Sequence, residues 1–243
     1  MPRFFITADS IDKNTIRITG DDARHIARSL RMAVGDKITV CDGCGMEYDC
    51  SLVKIRDEEC LCEIEGAIKS RAESPVDITL FMAYPKSDKL EVIIQKAVEL
   101  GAARIVPFES SRCIKRPSKD KEEQKLIRLG RIAEEAAKQC GRAICPKVLK
   151  TLSFGEVMKK CPDFELPIFC FEGEGTQSLK SILGGFSGSK ICIVVGCEGG
   201  FSPEEAAAAK AAGFKMANLG PRILRCETAP SYVLSAISYQ LEL

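Results

Sequence analysis

Two segments near the C-terminus combine glycine, charge and apolar side chains in a way that ordinary turns do not need. The first, Val195-Gly196-Cys197-Glu198-Gly199-Gly200-Phe201, follows the apolar run ICIVV. One glycine suffices for a tight turn, whereas glycines at 196, 199 and 200 around an acidic residue suit a place where a ligand lies against bare backbone. Ser202, Pro203 and Glu205 then spell a helix start, with serine as N-cap, proline at the first helical position and glutamate closing a capping box. The second segment runs from Asn218 through Leu219-Gly220-Pro221-Arg222-Ile223-Leu224-Arg225-Cys226-Glu227 to Thr228 and Ala229. Its apolar residues near the tip of a charged loop suit a fold around an apolar ligand face such as adenine. No G-x-G-x-x-G follows the first strand of this region and no G-x-x-x-x-G-K-[ST] is present, which argues against dinucleotide or phosphate-loop chemistry. The single histidine, His25, lies outside both segments, which argues against a His-dependent triad or a His-based metal centre.

The elements that must position these segments divide at SRAESP, Ser70 to Pro75, a polar, proline-ended hinge. Domains are therefore expected at 1–72 and 73–243. In the first, KITV, EYDCSLVKI and ECLCEIEGAI alternate about a turn at Asp42-Gly43 and predict a small, mostly antiparallel sheet or barrel. Asp21 to Met32 reads as a helix that carries Arg24, Arg28 and Arg31 on one face, either facing water or touching phosphates. In the second, strands are expected at Asp77 to Tyr84, Arg104 to Phe108, Pro167 to Phe171 and Ile191 to Val195. Between them come a helix with the stripe Leu90, Ile93, Ile94, Ala97 and Val98, a long helix through Leu126 to Cys140, and a short one near Ser178 to Leu183. Asp88 and Glu91 look like a capping box for the first of these helices. Alternating strand and helix predict an α/β domain with a mostly parallel sheet, whose ligands collect at the carboxyl ends of the strands.

Composition narrows the function classes. The chain of 243 residues is 45% hydrophobic and 28% charged, with a net charge of +1. No apolar run is long enough for a membrane helix and the N-terminus lacks a secretory pattern, so no membrane role is expected and the location expected is cytoplasmic. The 13 cysteines then read as reduced core thiols. Cys50 is in phase with Tyr48 and Leu52, and Cys60 and Cys62 with Ile64, which favours the buried face of strands over a zinc site at Cys41-x-x-Cys44, so no metal is expected. Residues 1–72 carry a net −2, whereas residues 112–150 hold 12 Lys/Arg, Lys115, Arg116, Lys119 and Lys121 among them, against 5 acids. Such an excess serves a phosphate backbone or a solvated helix face equally well.

Together, GCEGGFSPEE and LGPRILRCETA resemble the SPOUT class of RNA methyltransferases, and within it the bacterial 16S rRNA uridine N3-methyltransferase (RsmE) family. RFF at Arg3 and HIARSLRMAVGD resemble that family's PUA-like RNA-binding module. KSDKLEVIIQKAVELG, PFESSRC and EEAAKQCGR resemble its internal blocks. The resemblance implies a SPOUT-type, trefoil-knotted, mostly parallel α/β sheet behind a small PUA-like β-barrel. It also implies a homodimer that uses S-adenosyl-L-methionine to methylate uridine N3 in 16S rRNA of the small ribosomal subunit. By position, the cofactor would meet Phe171, Glu172, Gly196, Cys197, Glu198, Gly199, Gly200, Leu219, Gly220, Ile223, Leu224, Arg225, Thr228 and Ala229. RNA would meet Arg3, Arg24, Arg28, Arg31, Lys86, Lys96, Arg112, Gln139 and Arg142. Cys197 and Cys226 stand where the family's motifs carry proline and threonine. Methylating N3 requires its proton to leave, so Arg225 is the candidate cation that stabilises the anion and Glu227 the candidate base, with a structural ion pair and a helix-start carboxylate as the alternative readings. Two alternatives stay open, a non-catalytic RNA-binding ribosome-assembly factor and an enzyme of the same class acting at another RNA position.

Overall fold

A computed structural model describes residues 1–114 and 122–243; Lys115, Arg116, Lys119 and Lys121 of the basic run lie outside the described residues. The chain forms two compact units, one of Met1–Glu73 with Ala137–Cys145, the other of Ser74–Ala136 with Pro146–Leu243. Residues 137–145, which a linear reading puts in the second domain, thus join the first.

The first unit is a six-stranded sheet of β1 (Arg3–Phe5), β2 (Ile11–Asp12), β3 (Thr15–Thr19), β4 (Lys37–Cys41), β5 (Met46–Ile55) and β6 (Glu59–Lys69), in the order β1-β4-β5-β6-β3-β2. Only the β1–β4 pair is parallel. Register shifts at Asp49/Cys50 and Leu52/Lys54 bend β5, which curls the sheet into a half-barrel with unpaired outer strands. The β4–β5 turn follows from Asp42, whose Oδ1 accepts from the Cys44 and Met46 N–H groups at 2.7 and 3.0 Å, with Gly43 and Gly45 at positive φ. Phe4, Ile16, Ile18, Ile38, Leu52 and the thiols Cys50, Cys60 and Cys62 fill the core. Helix α1 (Gly20–Arg24) is shorter than the expected Asp21 to Met32. It widens into a π-type turn at His25–Ser29, and Arg31 takes φ +51°, so Arg31 lies beyond the helical turns that carry Arg24 and Arg28.

In the second unit every strand pairing is parallel. β7 (Asp77–Ala83), β8 (Arg104–Glu109), β9 (Lys147–Val148), β10 (Leu152–Ser153), β11 (Leu166–Cys170), β12 (Gln177–Ser178), β13 (Lys190–Val195) and β14 (Lys215–Asn218) run β10-β8-β7-β13-β11-β14-β12, with β9 also beside β8. The helices are α2 (Lys89–Glu99), α3 (Glu122–Cys140), α4 (Phe154–Lys159), α5 (Leu179–Leu183), α6 (Pro203–Ala211) and α7 (Thr228–Leu241). Near-continuous apolar runs such as DITLFMA in β7 and KICIVV in β13 are what a sheet covered on both faces demands. α2 buries the expected stripe from Leu90 to Val98. Its capping box does not form: the Glu91 N–H donates to the Asp88 main-chain carbonyl at 3.0 Å, while the Glu91 carboxylate pairs with Arg128 at 2.9 Å. The box at Ser202 and Glu205 does form.

Candidate active site

Strands β13, β11 and β14 are neighbours, so the chain leaves their carboxyl ends side by side, at Gly196, Phe171 and Leu219. These exits and the loop before α7 enclose a cavity of about 490 Å³, within the range of small-molecule sites. Phe171, Glu172, the whole 196–200 turn, Leu219, Ile223, Leu224, Arg225 and Ala229 line it. Gly220 and Thr228, expected among them, do not. Gly220 instead turns the loop at φ +99°, and Thr228 is the exposed first residue of α7. Ile223 is 86% exposed at the rim, an apolar side chain left open to solvent among the described residues.

The glycines are required by space. A Cβ on Gly196 would stand 3.0 Å from the Gly200 Cα, and one on Gly199 3.1 Å from the Arg112 Cβ. Gly200 takes φ +62°. Beneath the turn, Phe201 lies against Phe169 with ring centroids 4.2 Å apart and stacks on Phe108 at 6.3 Å, a rigid apolar floor. Glu205 closes its capping box and also accepts the Ser111 N–H at 2.7 Å. Cys197 and Cys226 are both buried and both line the cavity. The Cys197 sulfur faces Ser110 Oγ at 4.0 Å, and Ser110 Oγ is 3.3 Å from Cys113. A hydrogen bond from Cys197 lowers the Cys113 thiol to about 6, and that same contact, with burial, pushes Cys197 up. Burial and the neighbouring Glu227 push the Cys226 thiol up to about 12.

Among the described residues, three cations reach this cavity. Arg225 is exposed, with no side-chain partner among the described residues. Arg112, exposed, donates to the Gly199 carbonyl and so braces the turn. Lys89 bonds Glu198 at 3.2 Å and Glu227 at 3.0 Å. Sequence reasoning missed Lys89, although a signal was present: a lysine at the first position of a helix opposes the helix dipole and implies carboxylate partners. It also missed Cys170; Val195, Phe201 and Cys226, which line the cavity too, lie in the two segments singled out but not among the individual cofactor contacts expected. Glu227 does not line the cavity. Its own backbone N–H and then Lys89 hold its carboxyl below the usual range, which weakens it as a base. The base role expected for Glu227 therefore gives way to an ion-pair role.

The expected RNA contacts separate in the same way. Arg142 is 4% exposed and grips Glu73 through Nε at 3.0 Å and Nη2 at 2.8 Å, and Arg3 pairs with Glu47 at 3.0 Å and donates to Cys41. Both serve the first unit's own structure, which corrects the phosphate-binding role expected for them. Arg24 pairs with Asp21, Arg28 with Asp57 and Lys96 with Glu99, all at the surface. Lys86, Arg31 and Gln139 are exposed. Among the described residues, no group of three His, Cys, Asp or Glu could hold a metal ion, and no helix is long and apolar enough to cross a membrane.

A parallel sheet with a glycine-lined cavity at three adjacent strand ends, in a chain that also carries a small half-barrel unit, defines a class, and family models agree on it. The RNA methyltransferase domain model matches residues 72–238, and the RNA methyltransferase PUA domain model matches residues 18–65. The chain is 36% identical to ribosomal RNA small subunit methyltransferase E of Bacillus subtilis, across 100% of this chain and 98% of the relative. With the Synechocystis protein of the same name it shares 31%, across 99% and 78%. A crystal structure of the Neisseria gonorrhoeae ribosomal RNA small subunit methyltransferase E bound to S-adenosyl methionine superposes with a TM-score of 0.88 at 30% identity, across 98% and 97%. The chain belongs to the ribosomal RNA small subunit methyltransferase E family.

Proposed function

We propose that this protein transfers the methyl group of S-adenosyl-L-methionine to uridine N3 in 16S rRNA of the small ribosomal subunit. The observation that carries this reading is the cavity where β13, β11 and β14 end, in a chain of this family. Its residues fit the donor: the turn from Gly196 to Gly200 lines the cavity, Leu219, Ile223, Leu224 and Ala229 suit an adenine face, and Glu172 and Glu198 supply acceptors. S-adenosyl-L-methionine, when bound, supplies a methyl carbon already activated by its sulfonium.

What remains for the chain is alignment and the nucleophile. Uridine N3 is protonated and gains nucleophilicity only as that proton leaves, placing negative charge on N3 and its flanking carbonyls. Arg225, exposed on the cavity wall, offers that charge a cation that stays protonated at all working pH values. Glu227, tied to Lys89, takes no proton in this reading. Cys197 and Cys226 are compatible with it, because the Cys197 sulfur faces Ser110 and the Cys226 sulfur faces Glu227. A homodimer and the threading of the C-terminal segment into a trefoil knot belong to the same proposal. Tyr232 and Tyr239, exposed on α7, support the first, and membership of the family supports the second.

The test is methyl transfer from labelled S-adenosyl-L-methionine to small subunits prepared from a strain lacking this gene, followed by nucleoside mass spectrometry. N3-methyluridine is the expected product. Methyl on another nucleoside would move the target, and no transfer together with no cofactor heat in calorimetry would leave a non-catalytic RNA-binding protein.

A further inference from the structure

Glu198 belongs to the glycine turn after β13, and Glu227 closes the loop that leads into α7. Their carboxylates meet on a single ammonium, Lys89 Nζ, at 3.2 and 3.0 Å, and the Cys226 sulfur lies 3.9 Å from the same atom. Lys89 stands on neither loop: it opens α2, whose helical turns bury Leu90, Ile93 and Ile94 in the core. The Glu198 carboxylate is held from a second side by the Lys86 N–H, at 3.1 and 3.2 Å. One wall of the cavity is thus joined to the opposite loop through a cation on a rigid third element, and Lys89 itself lines the cavity.

We propose that Lys89 is a positioning residue that locks the glycine turn to the C-terminal loop and sets the width of the methyl-donor cavity. Two carboxylates on one ammonium stand at most about 6 Å apart. Without the lysine they are like charges facing each other, so its loss does more than untie the loops: it drives them apart. The kinetic part of this inference rests on the methyl-donor reading; the mechanical part does not.

The experiment uses the full chain in three forms, wild type, Lys89→Met and Lys89→Arg, with Lys89→Met/Glu227→Gln as a fourth. Hydrogen exchange without cofactor should show Lys89→Met speeding amides in both 196–200 and 225–228, on the order of tenfold, with Lys89→Arg near wild type. Faster exchange in one segment alone, or in neither, overturns the lock. In methyl-transfer assays Lys89→Met should raise KM for S-adenosyl-L-methionine roughly tenfold while kcat changes less than about twofold. A fall in kcat at constant KM overturns the positioning role. The double variant, freed of the repulsion, should recover part of the KM; a further loss of binding overturns the electrostatic account. If wild type transfers no methyl, the functional reading fails while the exchange comparison still decides the lock. Should Lys89→Met not fold, Glu227→Gln alone tests it, with a smaller rise in KM and faster exchange at 225–228 expected, and no change overturning it.

Discussion

Arg112 donates from Nη1 to the Gly199 carbonyl at 2.7 Å, and the Gly199 Cα lies so near the arginine stem that a Cβ there would come within 3.1 Å of the Arg112 Cβ. The arginine and the glycine turn are complementary in shape as well as in hydrogen bonding. Arg112→Ala is therefore expected to weaken S-adenosyl-L-methionine binding about fivefold, the worth of one exposed charge-assisted hydrogen bond. Isothermal calorimetry checks it, and an unchanged Kd would show that the turn holds itself.

Gly196 offers a harsher substitution. A Cβ there meets the Gly200 Cα and C at 3.0 and 3.1 Å and the Phe201 ring at 3.2 Å, two of the three being main-chain atoms that cannot swing away. Gly196→Ala should cost about 1–3 kcal/mol in stability and abolish cofactor binding at micromolar concentration. Thermal melting and calorimetry on the same sample read both effects.

Arg225→Ala should lower turnover at least about a hundredfold while cofactor Kd changes less than about threefold, the signature of charge stabilisation in the transition state. Equal losses in both would make Arg225 a binding residue. Glu227→Gln should keep most of the turnover number, because that carboxylate is already committed to Lys89.

Acid should open the cavity. Burial raises the Glu198 carboxyl, but its own N–H, Lys89 and the Lys86 N–H outweigh burial and leave it below the usual carboxylate range; Glu227 is lowered too. A lowered carboxylate adds stability that is complete above its unfolded pKa and disappears as pH falls through the folded one. Lys89, raised by Glu227 and Glu198, contributes fully at all pH values below the ordinary lysine range, and its contribution is lost only as pH rises past its folded value. Cofactor Kd should be flat across neutral pH and rise below about pH 4.5. Lys89→Met should lack that acid limb, and a wild-type limb centred near neutrality would implicate another group.

In the first unit, Glu73 accepts from Arg142 Nε and Nη2 and from the Ala143 and Ile144 N–H groups, both at 2.9 Å. Glu73→Ala leaves a buried guanidinium and two amides without that acceptor. The expected destabilisation is about 3–5 kcal/mol, read by denaturant unfolding. A change below about 1 kcal/mol would mean that water replaces the carboxylate.

The strand and helix order, the capped helix at Ser202 and most of the cavity wall were legible because each is encoded locally. Glycine spacing, apolar periodicity and a capping box all act within a few residues. The bonds made by Lys89, Arg112 and Arg142 were not legible, because their partners lie 109, 87 and 69 residues away, at Glu198, Gly199 and Glu73. A charged side chain looks alike in sequence whether it waits for a phosphate or is already satisfied. The Asp21 to Met32 helix failed for a related reason: side-chain spacing does not reveal that the backbone widens at His25 and turns left-handed at Arg31.

Glu205 sends one carboxylate oxygen to the start of its own helix and the other to Ser111, so two stretches 94 residues apart answer to a single side chain. The strip that carries Arg112 cannot drift without disturbing the helix that follows the glycine turn, and the reverse holds too. Any engineered change to one side of this site will be transmitted to the other, so the two must be redesigned as a pair.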